Sequence, residues 1–271
     1  FKIKQYEKTI KIFKNINFKK SQSYLLKSFY ELNHAERLSK KLDIEIKNKT
    51  INALIGSIVY LSKKKFNIKK KNLFCENPLD FVQIIDLNKV CNFKNLFKNT
   101  CNEILESNDF KINPQPLLVN GSQSANNIFF NRNRNISKIK NIINSEIQNY
   151  YKKFLGSKEG FLKKWPKNYY MDGWLVKMNS GGNIKPHIHE HGWLSGSIYI
   201  NVPKKMDLNG GNLVVSLDDK KKEDLENSQN SNFKIINVKT GTLCLFPASL
   251  FHYTIPFKSD EDRIVLAFDA I

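Results

Sequence analysis

The spacing of apolar residues divides the chain into a helical first part and a β-rich last part. In residues 1–62 apolar residues recur at three- and four-residue steps, in groups at 10–13, 24–32, 38–42 and 51–58. This period places the apolar side chains on one face of a helix. The first part is therefore predicted to form helices of about a dozen residues with short connections.

The middle of the chain contains a shorter strand-like segment and two more helical ones. Residues 81–85 alternate like a strand, and residues 96–105 and 136–155 have a helical period. The segment 63–78 is basic and ends in Asn77-Pro78, which is typical of a linker. We therefore expect a helical region at 1–75 and a second domain at 76–271.

From Tyr170 onward the apolar period changes to two, which is typical of strands. Glycine-containing turn signals occur at 180–182 and 209–211, and residues 218–231 are polar enough for a solvent loop. The strands are predicted at 171–178, 183–189, 195–202, 211–217, 232–238, 242–247, 251–256 and 263–269. Segregated helices and strands predict an α+β fold with a double-stranded β-helix, or jelly-roll, core at 170–271.

Composition limits the classes of partner and the cellular location expected for this protein. The net charge is +19, but only four of the 44 basic residues are arginine and the lysines are scattered, so no nucleic-acid partner is expected. No run of 18 apolar residues is present, so no membrane span is expected. The four cysteines form no CxxC pair, which favours reduced thiols in the cytoplasm. Because the chain begins at Phe1, it is compatible with a fragment that a signal segment preceded.

Four of the five histidines lie in two segments of the last third of the chain, at 187–191 and at 252. On an extended strand, His187 and His189 would point to the same face, because side chains alternate with a period of two. His252, from a distant strand, could complete a facial site with open positions. That geometry suits a non-haem Fe(II) centre.

The same segments carry spaced motifs. They are Pro186-His187-Ile188-His189, Leu194-Ser195-Gly196-Ser197-Ile198-Tyr199, the block 241–252 that contains Phe246-Pro247 and ends in His252, and Arg263-Ile264-Val265-Leu266-Ala267-Phe268. Together with the upstream element 119–129 they resemble the 2-oxoglutarate/Fe(II)-dependent oxygenases over residues 110–271. The resemblance implies Fe(II), 2-oxoglutarate and O₂ as cofactors. It also implies a dioxygenase that hydroxylates an acceptor and releases succinate and CO₂.

The resemblance also implies the site. His187, His189 and His252 would be the catalytic metal ligands. Arg263 could bind the distal carboxylate of 2-oxoglutarate through its planar fork of donors. Tyr199 and Asn201, which share one face by alternation, would help to bind the same cofactor.

The second metal ligand is the uncertain one. Most such oxygenases have a carboxylate in the second position of the motif, where this chain has His189. His191, or an acid such as Glu190 or Asp207, therefore stays an alternative to His189.

Two other functions stay open. Gly181, His187 and His189 match the start of a cupin motif, which would give a metal protein without 2-oxoglutarate chemistry and without need of Arg263. The N-terminal helices weakly resemble tetratricopeptide pairs, which would suit an interaction protein with a silent β domain. If the helices are repeats, a protein or peptide is the favoured acceptor; no oligomeric state is predicted.

Overall fold

The first four helices and the last seven strands lie where the change of apolar period predicts them, but three short strands lie among the helices in the middle of the chain. The computed structural model describes residues 5–13, 16, 19–107, 111–204, 208–219 and 232–271. The helices are α1 (Tyr6–Phe13), α2 (Lys19–Glu31), α3 (Ala35–Lys47), α4 (Ala53–Phe66), α5 (Asn99–Glu106), α6 (Arg134–Lys153) and α7 (Gly160–Lys163). The strands are β1 (Gln83–Asp86), β2 (Ile112–Asn113), β3 (Leu118–Ser124), β4 (Met171–Ile184), β5 (Leu194–Asn201), β6 (Leu213–Ser216), β7 (Phe233–Ile236), β8 (Thr242–Pro247), β9 (Phe251–Thr254) and β10 (Arg263–Ala270).

The N-terminal helices form a core of their own. Leu26, Leu38, Leu42 and Ile58 are buried together where α2, α3 and α4 meet. The basic residues 63–65 do not form the predicted linker, because they occupy the last turn of α4, where positive charge favours the helix dipole. The division at residue 75 and the repeat resemblance stay predictions.

The β part consists of two antiparallel sheets. The larger has the strand order β1-β8-β5-β10-β4-β3-β2, and the smaller has the order β7-β6-β9. Helix α6 covers the larger sheet with its apolar stripe, and Ile139, Ile143 and Ile147 are fully buried there. Burial of this stripe, rather than helix propensity, stabilises α6 on the sheet. Among the described residues, no helix is both long and apolar enough to cross a membrane.

The region before the histidines differs from the prediction. Strand β4 continues to Ile184, so residues 180–182 are not a hairpin turn and 183–189 is not a separate strand. A register shift opposite β3 absorbs the extra residues, and Gly181 has a φ of 75°, which glycine adopts without strain. Beyond Ile184 the chain leaves the sheet, and only His187 pairs again, as an isolated bridge to His252.

Two other regions also differ from the sequence reading. Strands β2 and β3 extend the larger sheet, although the sequence suggested only a motif there. The predicted loop 218–231 lies outside the described residues beyond position 219.

Gly196 in the middle of β5 allows the sheet to pack tightly. A Cβ atom at this position would lie 2.1 Å from the ring of the buried Phe268. We expect Gly196→Ala to lower the free energy of unfolding by about 1–3 kcal/mol, because the packed ring cannot move aside without strain. Urea denaturation measures this. Ser197→Ala, at the next position of the strand, is the control, and an equal effect of both changes would contradict the explanation.

Candidate metal centre

Three imidazoles converge in a cavity between the two sheets. His252 lies on β9 of the smaller sheet, and His187 and His189 lie on the segment between β4 and β5. One potential ligand atom from each ring lies within 4.8 Å of those of the other two. Such a cluster can bind one metal ion from one side and leave other coordination positions open.

Each ring is held through its Nδ1 atom. The Nδ1 atoms lie 2.8 Å from the Lys185 carbonyl oxygen for His187, 2.6 Å from Asp269 Oδ1 for His189, and 3.4 Å from the Leu250 carbonyl oxygen for His252. An acceptor facing Nδ1 favours the tautomer that carries its proton there. The Nε2 lone pairs are then available to a metal, which is the usual arrangement of metal-binding histidines.

Two of the three imidazoles, those of His187 and His252, have lowered pKa values. Removal from water, with a smaller effect of the neighbouring His189, lowers the pKa of His187 to about 4. Burial, with both neighbouring imidazoles, holds the pKa of His252 well below its usual value. Metal ligation requires neutral imidazole, so these two rings need lose no proton at neutral pH.

The alternatives for the second ligand have other side-chain partners. The exposed His191 has its Nε2 3.2 Å from the Tyr24 hydroxyl of α2. Glu190 forms an ion pair of 2.5 Å with Lys27 of the same helix. Both side chains therefore contact the N-terminal helices rather than the cluster, whereas His189 joins it. Asp207 lies outside the described residues.

Arg263 lies in the same cavity as the histidines. The cavity has a volume of about 490 Å³, and Tyr199, Leu213 and Val265 also line it. Arg263 is only 2% exposed, and its guanidinium stacks 5.0 Å from the ring centre of Tyr199. Its Nε donates to the Gly211 carbonyl oxygen at 3.1 Å.

The electrostatics of Arg263 are unusual for a buried cation. Burial lowers its pKa, but guanidinium groups stay protonated in proteins. Among the described residues no carboxylate forms an ion pair with it, and Asp262 instead pairs with Lys177 at 2.8 Å. The cavity therefore holds a buried positive charge that an anion would stabilise.

Asn201 does not reach the cavity. A register shift in the pairing of β5 with β10 breaks the alternation between Tyr199 and Asn201. The Asn201 side chain accepts from Lys98 Nζ at 2.9 Å and donates to the Asp262 carbonyl oxygen at 2.7 Å. Asn201 is therefore not carried into the proposed site.

The sequence reading missed Asp269, whose carboxylate contacts His189. Two-residue alternation along β10 places Asp269 on the same face as Arg263, Val265 and Ala267, so this face, but not the contact with His189, could be predicted from the sequence. The last sequence motif ends at Phe268, one residue before Asp269.

The two antiparallel sheets thus bring three imidazoles and a buried guanidinium together in one cavity. Residues 172–269 match the model of the family described as "Putative 2OG-Fe(II) oxygenase", where 2OG is 2-oxoglutarate. The matched segment runs from β4 to β10 and contains all three histidines and Arg263. The matched segment is thus similar to 2OG-Fe(II) oxygenases, a family of oxidoreductases that use Fe(II), 2-oxoglutarate and O₂.

Several solved structures are similar to the chain at low sequence identity. A prolyl-4-hydroxylase from Pseudomonas putida is 11% identical, covers 70% of this chain and 91% of its own, and has a TM-score of 0.48. A prolyl hydroxylase from Trichoplax adhaerens, in complex with a peptide fragment of a hypoxia inducible factor, is 12% identical, covers 84% of this chain and 92% of its own, and has a TM-score of 0.49. HygX from Streptomyces hygroscopicus, with nickel and 2-oxoglutarate bound, is 10% identical, covers 72% of this chain and 86% of its own, and has a TM-score of 0.44. A search of curated protein sequences finds no match.

The lowered histidine pKa values predict how the stability of the metal-free protein depends on pH. Histidine in the unfolded chain has a pKa near 6.5, whereas folded His187 has a pKa of about 4. Between these two pH values the unfolded chain binds more protons. The contribution of neutral His187 to the free energy of unfolding is therefore fully present above pH 6.5 and is lost as pH falls towards 4. Denaturant unfolding between pH 7.5 and 4.5 measures this loss. It should be smaller in His187→Asn, and equal losses would contradict the assignment.

Proposed function

We propose that His187, His189 and His252 bind Fe(II), that Arg263 binds 2-oxoglutarate beside it, and that the domain hydroxylates a C–H bond of an acceptor. The observation that carries this proposal is the buried guanidinium of Arg263. It shares one cavity with the three imidazoles and forms no ion pair with a described carboxylate. A metal-binding cavity with a fixed cation suits a co-substrate that chelates the metal at one end and carries a carboxylate at the other.

The donor set fits the proposed metal. Imidazole nitrogen suits Fe(II), and three such ligands leave positions for a chelating co-substrate and for O₂. When bound, Fe(II) and 2-oxoglutarate would supply the oxidising chemistry, in which decarboxylation of the co-substrate is coupled to the reduction of O₂.

The protein's own residues bind, orient and shield the reactants. The three Nδ1 contacts hold the imidazoles in one orientation before the metal arrives. The Tyr199 ring, 1% exposed, packs against the guanidinium and restricts its movement. Leu213, Val265 and Ala267 line the cavity with apolar surface, which keeps water away from the reacting atoms.

The strand arrangement supports the assignment of a double-stranded β-helix. The smaller sheet β7-β6-β9 faces the larger one across the cavity, because Leu213 and Thr254 line it opposite Tyr199 and Val265. A jelly roll consists of two such antiparallel sheets.

The acceptor is proposed to be a protein or peptide. One side of the cavity is lined by the amide side chains of Asn113, Gln115 and Gln123, on or beside strands β2 and β3. Amide groups both donate and accept hydrogen bonds, as peptide backbone requires. The four cysteines are unpaired, which supports the proposed location in the reducing cytoplasm.

The other two functions are less well supported. A cupin-like metal protein would not require a buried cation in its cavity. A catalytically silent β domain would not require three converging histidines whose Nδ1 atoms all face acceptors. No specific observation favours either one.

The metal ligands can be tested by removing one of them. We expect His252→Ala to abolish succinate formation that depends on Fe(II) and 2-oxoglutarate, because two imidazoles are left to bind the metal. His34→Ala is the matched control, since His34 is the N-cap of α3 and is not one of the three clustered histidines, and it should keep wild-type turnover. The assay measures succinate with and without Fe(II), in the absence of acceptor. Full activity of the His252 variant would contradict the ligand assignment.

The role of Arg263 can be tested by binding. An anaerobic titration of the Fe(II) protein with 2-oxoglutarate should develop a weak visible charge-transfer band. We expect Arg263→Gln to raise the dissociation constant of 2-oxoglutarate by about 10- to 100-fold, the effect of losing a charged hydrogen bond worth about 1.5–3 kcal/mol.

The control for this change is Arg132→Gln, because Arg132 is exposed on the surface. Calorimetry should show that Fe(II) affinity is kept in both variants, which separates loss of the cofactor contact from unfolding. Unchanged 2-oxoglutarate affinity in the Arg263 variant would favour the cupin-like function.

A further inference from the structure

We propose that Asp269 is a positioning residue of the metal centre, which fixes His189 through Nδ1 and supplies the negative charge that the three neutral ligands lack. This inference rests on the proposed metal centre. It assigns a role to a residue that neither binds the metal in the proposal nor belongs to any of the sequence motifs.

The contact between the two side chains is direct and buried. Asp269 Oδ1 lies 2.6 Å from His189 Nδ1, and Asp269 is only 7% exposed. A carboxylate accepts hydrogen bonds, so the proton between them belongs on Nδ1 and Nε2 keeps its lone pair. The contact selects the tautomer that can bind a metal.

Asp269 is itself held in place. Its Oδ1 also accepts from Ser195 Oγ at 2.7 Å, and Ser195 is its direct cross-strand partner on β5. The carboxylate is thereby fixed by the pairing of two central strands. His189, which lies on no strand, takes its orientation from this fixed group.

The surroundings restrict the His189 ring from other sides. The Trp174 ring lies 5.3 Å from it, centre to centre, and the His252 ring lies at 4.6 Å. The chain turns at Gly192, where a Cβ atom would lie 3.1 Å from Asp269 Oδ1, tighter than ordinary contact. Glycine at this position leaves room for the carboxylate to reach the imidazole.

The charges in the cavity give Asp269 a second effect. Arg263 is a cation in the same cavity, and a divalent metal would add two positive charges beside it. Histidine ligands are neutral and cannot offset this charge. A carboxylate hydrogen-bonded to a ligand makes that ligand more basic and strengthens its bond to the metal.

Substitution by asparagine tests this role. Asp269→Asn keeps the size of the side chain and an acceptor oxygen but removes the charge. We expect the affinity for Co(II), measured by anaerobic calorimetry, to fall by about 10- to 100-fold. The visible spectrum of the Co(II) protein should also change, because the spectrum reports the ligand field at the metal, which a merely structural role would not alter.

A matched carboxylate provides the control. Asp172 is the cross-strand partner of Asp269 on β4 and lines the same cavity, but it makes no hydrogen bond to a histidine. We expect Asp172→Asn to bind Co(II) with nearly wild-type affinity and with an unchanged spectrum. An equal loss in both variants would show a general effect of cavity charge and would overturn the positioning role.

A measurement on the wild-type protein decides the matter even if the Asp269 variant does not fold. Nitrogen-15 NMR of the Zn(II)-loaded protein reports which ring nitrogen of His189 carries the proton. We expect the proton on Nδ1, with a strongly downfield resonance from the short hydrogen bond, and Nε2 bound to zinc. Zinc on Nδ1, or a proton on Nε2, would overturn the inference.

The failure of this inference differs from failure of the proposed function. If the wild-type protein binds neither Co(II) nor Zn(II), the metal centre itself is wrong. If it binds them and Asp269→Asn binds Co(II) equally well with the same spectrum, only the role of Asp269 is wrong.

Discussion

The pair of backbone hydrogen bonds between His187 and His252 holds the candidate site together. The His187 amide donates to the His252 carbonyl oxygen at 3.2 Å, and the His252 amide donates back at 2.9 Å. This isolated bridge attaches the segment after β4 to β9 of the smaller sheet. Because both partners carry an imidazole, the contact that joins the segment to the sheet also brings two rings to a centroid distance of 4.2 Å. The third ring follows from the short distance along the chain between His187 and His189.

Strand β10 organises the charges around this cluster. It lies between β4 and β5 in the larger sheet, and its odd-numbered residues face the cavity. The strand begins with the cation of Arg263 and approaches its end with the carboxylate of Asp269, so the two charges lie six residues apart on one face. A strand rises about 3.3 Å per residue, so this separation is about 20 Å. The rigid strand keeps the two opposite charges from neutralising each other directly, and each can serve a different group near the metal.

The N-terminal helices contact the segment that carries the histidines. Ile188 packs against the apolar core of α2, α3 and α4, while its neighbours Glu190 and His191 meet Lys27 and Tyr24. The segment therefore lies between the helices and the cavity, where His187 and His189 converge with His252. The helical region thus forms part of the support of the site.

The sequence by itself determined the classes of element and most of the chemistry. A change of apolar period from about 3.6 to two separates helices from strands because it reflects local geometry. The histidines and the rare arginine were identifiable because their chemistry depends on residue type. Only the tertiary structure decided the finer placement. Strand β4 continues, with a bulge, through the residues predicted to form a turn. A register shift between β5 and β10 leaves Asn201 outside the cavity. The contact of Asp269 with His189 spans 80 residues of sequence and no local pattern encodes it. It depends on strand pairing between distant segments, which is set by the packing of the whole sheet.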